Sequence, residues 1–289
     1  MTIAVNSHLM AFSNVAHLPL AEKLKATRVA GCSGLSLMPY ELDQMEAAGL
    51  SPESVRRQTE DEGLKIVRLD PLNTWPRVWL PDNMDDAYIA TVDTRKERVF
   101  DLCSRLGCTH LSLNATFPKN ALTIEQITED YARICTDAAE FGLTVDLEFI
   151  PLWGVPTLDM AWKIVSGSGA KNGGLVFDTW HFVRGKSRME DLKAIPGSWI
   201  HCVQLNDGPL ELPPGVSIKD NCYDRKFPGD GEFPNAEIVN VLAQSGGLNQ
   251  LGAEVFSPIL KTMTAEQVGL ISRDSIHGIL VAAGIANAA

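Results

Sequence analysis

The amino-acid sequence predicts an α/β fold, a single (β/α)8 barrel spanning residues 1–289. Three observations lead there. Short runs rich in Val, Ile and Leu alternate with longer helical stretches, and the alternation occurs eight times. The runs are too apolar to have a wet face, as expected of a parallel sheet covered by helices. Four of them open at Gly31, Gly63, Gly107 and Gly142, each standing where a helix should end, so one strand–helix unit is repeated. Eight such units is the number that closes a parallel sheet on itself. The competing open, doubly wound sheet has no GxGxxG after its first strand.

In chain order the strand runs are TIAVNSHLM from Thr2, GCSGLSLMP from Gly31, GLKIVRLDP from Gly63, GCTHLSLNA from Gly107, GLTVDLEFIP from Gly142, GGLVFDTWHF from Gly173, WIHCVQLND from Trp199 and LGAEVFSP from Leu251. Helices are expected at 20–30, 52–62, 86–106, 124–141, 158–166, 189–194, 236–244 and 265–280. Ser51 before Pro52 reads as an N-cap with proline at the first helical position, and Thr123 with Gln126 three residues on reads as a capping box. The longest irregular stretch, 208–234, is expected to form a loop over the barrel mouth.

Composition removes several classes of function. Hydrophobic residues make up 45% of the chain, ordinary for a globular protein with a large core. Thirty-six acidic against 25 basic residues leave a net charge of -11, which repels nucleic acid. No apolar run approaches the ~20 residues that span a bilayer, and the opening MTIAVNSHLM has no basic flank, so a cytoplasmic protein is expected. The six cysteines form no CxxC pair and read as reduced thiols, most of them small core residues. No GxSxG or GxxxxGK[ST] occurs.

In a barrel of this kind chemistry sits at the C-terminal strand ends. Strand five ends in Glu148, strand six in Asp178 followed by His181, strand seven in Gln204, Asn206 and Asp207, and strand eight in Glu254. A single carboxylate there is ordinarily a salt-bridge partner. Three on consecutive strand ends, each interrupting an apolar run, need a compensating cation, because a lone buried carboxylate costs several kcal/mol. Two Glu, one Asp and an amide carbonyl form an all-oxygen shell suited to Mn²⁺ or Mg²⁺, with Co²⁺ and Zn²⁺ as alternatives.

The segments LEF with Glu148, FDTWH with Asp178 and His181, HCVQLND with Gln204, PGDGEF from Pro228 and GAEVFSP with Glu254 resemble the xylose-isomerase-like TIM barrels. That superfamily includes sugar-phosphate isomerase/epimerase-type proteins, ketose 3-epimerases, inosose dehydratases and isomerases, and AP endonuclease family 2 proteins. The likeness runs in order along nearly the whole chain and is specific in its second half. It implies a metal held by Glu148, Asp178, Gln204 and Glu254, with His181 near the substrate. Three departures stand out. Gln204 replaces the His usual in ketose 3-epimerases, Gly154 stands where those enzymes carry a further Glu, and Leu210 replaces an Arg that grips free ketoses.

A divalent ion beside a ketone oxygen and an adjacent hydroxyl acidifies the intervening C–H and stabilises the enediolate left when a base takes that proton. Glu148 and Glu254 are the expected base and acid, with His181 as hydroxyl ligand or proton shuttle. The first expectation is therefore an isomerase or epimerase of a sugar, sugar phosphate or cyclitol. The alternative is a lyase of the same fold, an inosose-type dehydratase or an oxidised-glycoside-cleaving enzyme. Less favoured are an AP-endonuclease-like nuclease, which needs more histidines and a positive face, and a non-catalytic sugar-binding barrel. Expected substrate contacts are Arg225 as an anion-gripping fork beside Lys226, Trp180 within an aromatic rim with Trp75, Trp79 and Trp153, and Asp207, Asn114 and His8 lining the pocket. The bland readings are a solvated loop pair, loop-on-loop packing and a satisfied core histidine. The expected partner is a small carbohydrate-like molecule, not nucleic acid or membrane; a homo-oligomer is expected by analogy alone.

Overall fold

A computed structural model of the chain describes residues 7–286. The opening of the first expected strand, 2–6, lies outside them. In chain order the elements are β1 (His8–Met10), α1 (Ala11–Asn14), α2 (Leu20–Val29), β2 (Gly34–Leu37), α3 (Pro39–Ala47), α4 (Pro52–Asp61), β3 (Lys65–Leu72), α5 (Asp86–Val92), α6 (Lys96–Leu106), β4 (His110–Asn114), α7 (Ile124–Ala139), β5 (Thr144–Glu148), α8 (Leu158–Gly167), β6 (Gly173–Asp178), α9 (Thr179–Arg184), α10 (Met189–Ala194), β7 (Ile200–Leu205), α11 (Ile218–Cys222), α12 (Asn235–Ser245), β8 (Leu251–Ala253) and α13 (Ala265–Ala282). The strands form one sheet in the order β1 to β8. The β3–β4, β4–β5, β5–β6 and β7–β8 pairs are parallel, and Ser7 bridges Leu251 in parallel, so β8 returns beside β1. This is the strand order of a (β/α)8 barrel, as the sequence predicts.

The start and stop signals act as read. Ser51 Oγ accepts the Ser54 N–H at 3.3 Å, and Thr123 and Gln126 exchange side-chain–backbone bonds in a capping box. Gly31, Gly63, Gly107 and Gly142 all have positive φ.

The differences are local. Segment 39–47 folds as α3: Pro39 supplies the preset first helical position and Glu41 Oε1 accepts the Met38 N–H, signals that its weak amphipathicity hid. The helix expected over 86–106 is two, because the short polar and β-branched residues Asp93 and Thr94 favour a break and the Thr94 carbonyl accepts the Thr74 hydroxyl at 2.7 Å. The sixth strand stops at Asp178, whose side chain caps α9. Within the loop expected over 208–234, α11 forms behind the Ser217 N-cap.

The chain divides into two compact units, Met1–Leu35 with Phe177–Ala289, and Ser36–Val176. In the first, α2 and α13 pack on each other and β1 lies beside β8. In the second, α7 packs on α8 and α4 on α6, over β3, β4 and β5. No helix among the described residues is long and apolar enough to cross a membrane.

Candidate active site

Most of the polar strand-end residues lie in the first unit. Asp178 closes β6 and at once caps the next helix: its Oδ1 accepts the His181 N–H at 2.8 Å. Its Oδ2 accepts Asn206 Nδ2 at 2.8 Å and Arg225 Nη1 at 2.9 Å. The same Arg225 nitrogen donates to Glu254 Oε2 at 2.6 Å, so one guanidinium joins the acids of two strand ends. All three are buried, and the guanidinium also lies about 5 Å from the Trp180 and Phe256 rings. Burial opposes ionisation of Asp178, but the charges at His181 and Arg225, with bonds from Glu254 and the His181 backbone, hold its carboxyl below the usual range. Arg225 is pushed further toward its charged form, because Asp178, Cys222 and Glu254 outweigh its burial. The loop fork expected at Arg225 is thus a buried counterion.

Backbone geometry explains how Arg225 gets there. Asp207 and Lys226 exchange two backbone bonds of 2.9 Å, and the Arg225 N–H donates to the Phe256 carbonyl at 3.0 Å, pinning this stretch across the strand ends. Asp207 anchors that loop with its side chain. It accepts the Gly208, Gly229 and Phe233 N–H groups at 2.9 Å each and Asn235 Nδ2 at 3.1 Å. A Cβ at Gly231 would lie 2.3 Å from Asp207 Oδ1, which accounts for glycine there in PGDGEF. The expected substrate contact at Asp207 is therefore a loop anchor.

Gln204 is fully buried on β7, in register with Gly252 of β8. Glu254 follows β8, and its N–H donates to the Leu205 carbonyl at 2.8 Å. His181 is 3% exposed and stands edge-on to Trp180. Trp180 donates its indole N–H to Asn221 Oδ1 at 3.0 Å, an oxygen that Arg184 also reaches at 2.8 Å. Arg184 in turn binds the Leu210 and Pro209 carbonyls, tying the long loop to α9. His8 opens the described part of β1, where the sequence reading placed it at the strand's end, and lines a cavity of about 250 Å³ with Cys32, Ser272 and Ile276.

In the second unit Glu148 ends β5, 4% exposed, in register with Asn114 of β4 and Val176 of β6. Asn114 is nine-tenths buried, and its side-chain oxygen has no hydrogen-bond partner among the described residues; its backbone carbonyl accepts the Trp75 indole at 2.9 Å. Trp75 and Trp153 are buried, Trp153 bonded to Asn83 Oδ1, so these tryptophans pack loops and form no open rim.

Sequence reasoning missed a network one step down the same strands. Arg68 Nη2 binds Asp146 Oδ2 at 2.7 Å and its Nη1 binds Ser112 Oγ at 3.1 Å, while Ser112 donates to Asp70 at 2.7 Å. His110 Nδ1 lies 3.1 Å from Asp146. The signal was present as alternation: RLD, HLSLN and TVDLE each carry polar residues two apart, the spacing of one strand face.

The chain resembles known enzymes. It is 31% identical over 82% of its length to a 3-dehydroshikimate dehydratase of Pseudomonas aeruginosa, and spans 36% of that protein's length, about a third. It is 24% identical to an inosose isomerase of Bacillus velezensis, covering 69% of this chain and 72% of that protein. A crystal structure of an IolI protein with a bound zinc atom superposes with a TM-score of 0.73 at 20% identity, covering 95% of this chain and 94% of that one. The family model described as xylose isomerase-like TIM barrel matches residues 24–273, and the chain belongs to that family.

Proposed function

We propose that the chain is a divalent-metal-dependent lyase that removes water from a cyclic polyhydroxy ketone of the 3-dehydroshikimate class. The observation that carries the reading is the buried Asp178–Arg225–Glu254 cluster, with Gln204 buried on β7. Arg225 meets both carboxylates through one nitrogen, and Glu148, at the end of the strand next to β6, is a further buried acid. The donor set fits a divalent cation: three carboxylates and one amide oxygen are hard ligands with no thiolate among them. Glu148, Asp178, Gln204 and Glu254 are the residues proposed to hold it, Mn²⁺ or Mg²⁺ being the ions this set suits, with Zn²⁺ and Co²⁺ as alternatives. When bound, such an ion supplies Lewis-acid polarisation of the ketone oxygen.

The protein's own groups do the rest. Glu148 and Glu254 serve as the proton acceptor and donor pair at the carbon next to the carbonyl. His181 carries a proton to the hydroxyl on the following carbon, which departs as water. The orphan Asn114 side-chain oxygen accepts a bond from a substrate hydroxyl. The same proton abstraction without a leaving hydroxyl is isomerisation, the first expectation from sequence. The order is reversed here because the dehydratase relatives are 30–31% identical and the inosose isomerases 24–26%. A free-ketose 3-epimerase loses ground on packing: a Cβ at Gly154 would fall 2.0 Å from the buried Phe117 ring, leaving no room for the Glu those enzymes carry.

Two incubations with Mn²⁺ in deuterated water test the reading. With 3-dehydroshikimate, aromatic ultraviolet absorbance is expected to rise, and EDTA is expected to abolish the rise. With an inosose, deuterium incorporation without loss of water, alongside no change in 3-dehydroshikimate, would overturn dehydration in favour of isomerisation.

A further inference from the structure

A second chemically distinct feature lies at the junction of α6 and β4, in residues that the proposed reaction does not use. We propose that Cys103 and Cys108 form a dithiol redox site that closes to an intramolecular disulfide on reaction with a hydroperoxide.

The local backbone makes the pair. Gly107, at φ 71°, ends α6; its N–H donates to the Ser104 carbonyl and the Cys108 N–H donates to the Cys103 carbonyl at 2.9 Å. These are the two bonds of a Schellman motif, and Cys103 and Cys108 occupy the two positions whose side chains meet across it. Side chains at these two positions of the motif commonly contact each other, and a disulfide asks for Cα atoms about 4.4–6.8 Å apart. Each thiol shifts the other's titration, as two neighbouring thiols do. Cys108 Sγ also reaches the Val67 and His110 carbonyls at 3.1 and 3.2 Å.

The pair is asymmetric. The bond to Cys108, then burial, pushes the Cys103 thiol well up. Burial opposes the Cys108 thiolate, but Cys103, the backbone at His110 and Leu69, and the Arg68 charge hold that thiol below the ordinary range. Burial pushes Cys32 and Cys135 up to about 11 and 12, and Cys222 also lies high because burial outweighs its neighbour Arg225. Cys108, 5% exposed against 0% for Cys103, is the sulfur an oxidant reaches first, and is assigned as the attacking one with Cys103 as the resolving one. In the first step the Cys108 thiolate attacks the peroxide: an S–O bond forms, the O–O bond breaks, and the alkoxide or hydroxide released takes up a proton. Cys103 sulfur then attacks the Cys108 sulfenic acid, an S–S bond forms, and hydroxide leaves with the Cys103 proton as water. Two electrons pass from the dithiol to the peroxide.

The test uses the fully reduced chain, stoichiometric hydrogen peroxide, alkylation of the remaining thiols and trypsin. Cleavage after Arg105 separates the cysteines into peptides 99–105 and 106–119, which stay joined only through a disulfide. The expected result is a thiol titre falling from six to four, with those two peptides linked and recovered separately after dithiothreitol. In Cys103→Ser, Cys108 is expected to stop at a sulfenic acid that a 1,3-dione traps. Both peptides alkylated while Cys32 or another cysteine is oxidised would overturn the proposal, as would a bridge joining either residue to a different cysteine. The wild-type peptide map decides the matter even where the variant fails to fold.

Discussion

Replacing Arg225 with Met tests whether a cation is needed between Asp178 and Glu254. The substitution keeps an apolar stem against Trp180 and Phe256 but removes the nitrogen that meets the two carboxylates at 2.9 and 2.6 Å. Breaking a buried pair from one side costs about 3–5 kcal/mol, because it strands charge out of water. The chain has 289 residues, and at roughly 2.1 cal/mol/K of unfolding entropy per residue ΔS is about 0.6 kcal/mol/K. A loss of about 4 kcal/mol then lowers Tm by roughly 7 °C. An ion present at a hundredfold its Kd restores about 2.7 kcal/mol, or roughly 4–5 °C. Under the proposed reading the ion would share its carboxylates with Arg225 in the wild type and would be their principal counter-cation in the variant. Differential scanning calorimetry with EDTA and then with Mn²⁺ is therefore expected to show a lower starting Tm and a larger Mn²⁺ shift in Arg225→Met. An EDTA-treated variant melting within about 1 °C of wild type, or equal Mn²⁺ shifts in both proteins, would refute the reasoning.

Three further outcomes are expected. Glu148→Gln and Glu254→Gln each lower kcat by about 10²–10⁴ while circular dichroism stays unchanged, and wild-type turnover in either would remove that residue from the chemistry. Gly154→Ala forces a methyl against the Phe117 ring and lowers stability by about 1–3 kcal/mol in urea unfolding; an unchanged midpoint would show that the ring yields freely. Asp130 is held below its usual pKa because bonds and charge from Arg77, with the Arg133 charge, outweigh its burial. A depressed folded-state pKa stabilises above the unfolded value, near pH 4, and that stability is lost as pH falls through the folded one. Asp130→Asn should therefore flatten the fall of the urea midpoint below pH 4, and slopes parallel to wild type would contradict the assignment.

The fold was legible because its signals are short-range. Gly31, Gly63, Gly107 and Gly142 mark helix ends by a conformation that other residues adopt at a cost, and the apolar runs mark strands by their uniform burial. The burial of Glu148, Asp178, Gln204 and Glu254 at strand ends was legible, since they interrupt apolar runs. What stayed hidden was pairing. Arg225 lies 47 residues from Asp178 and 29 from Glu254, so nothing local distinguishes it from a solvated loop arginine. Asp207 ended a strand like its neighbours, and only coordinates reveal that the loop behind it consumes its oxygens. Helix α3 was missed for a different reason: nine residues with weak amphipathicity carry too little periodicity to register.

Each unit buries an arginine among acids, and the two differ in what surrounds them. Arg68 and Asp146 are 0% exposed at the side chain, Arg68 also donates to Ser112, and His110 lies against Asp146, so this ion pair sits on one strand face. Arg225 draws its acids from the extreme ends of β6 and β8, where backbone alternation stops and loops begin. A barrel interior is ordinarily filled by layers of apolar side chains, and isosteric apolar replacements for a closed ion pair are often no less stable. Stability alone therefore gives no reason to retain charge at either level. At the strand ends the proposed chemistry gives a reason: buried carboxylates are the hard oxygen donors that a divalent ion takes. The Arg68 network instead joins β3, β4 and β5 through buried side chains, and the parallel register of β4 and β5 sets Asn114 opposite Glu148.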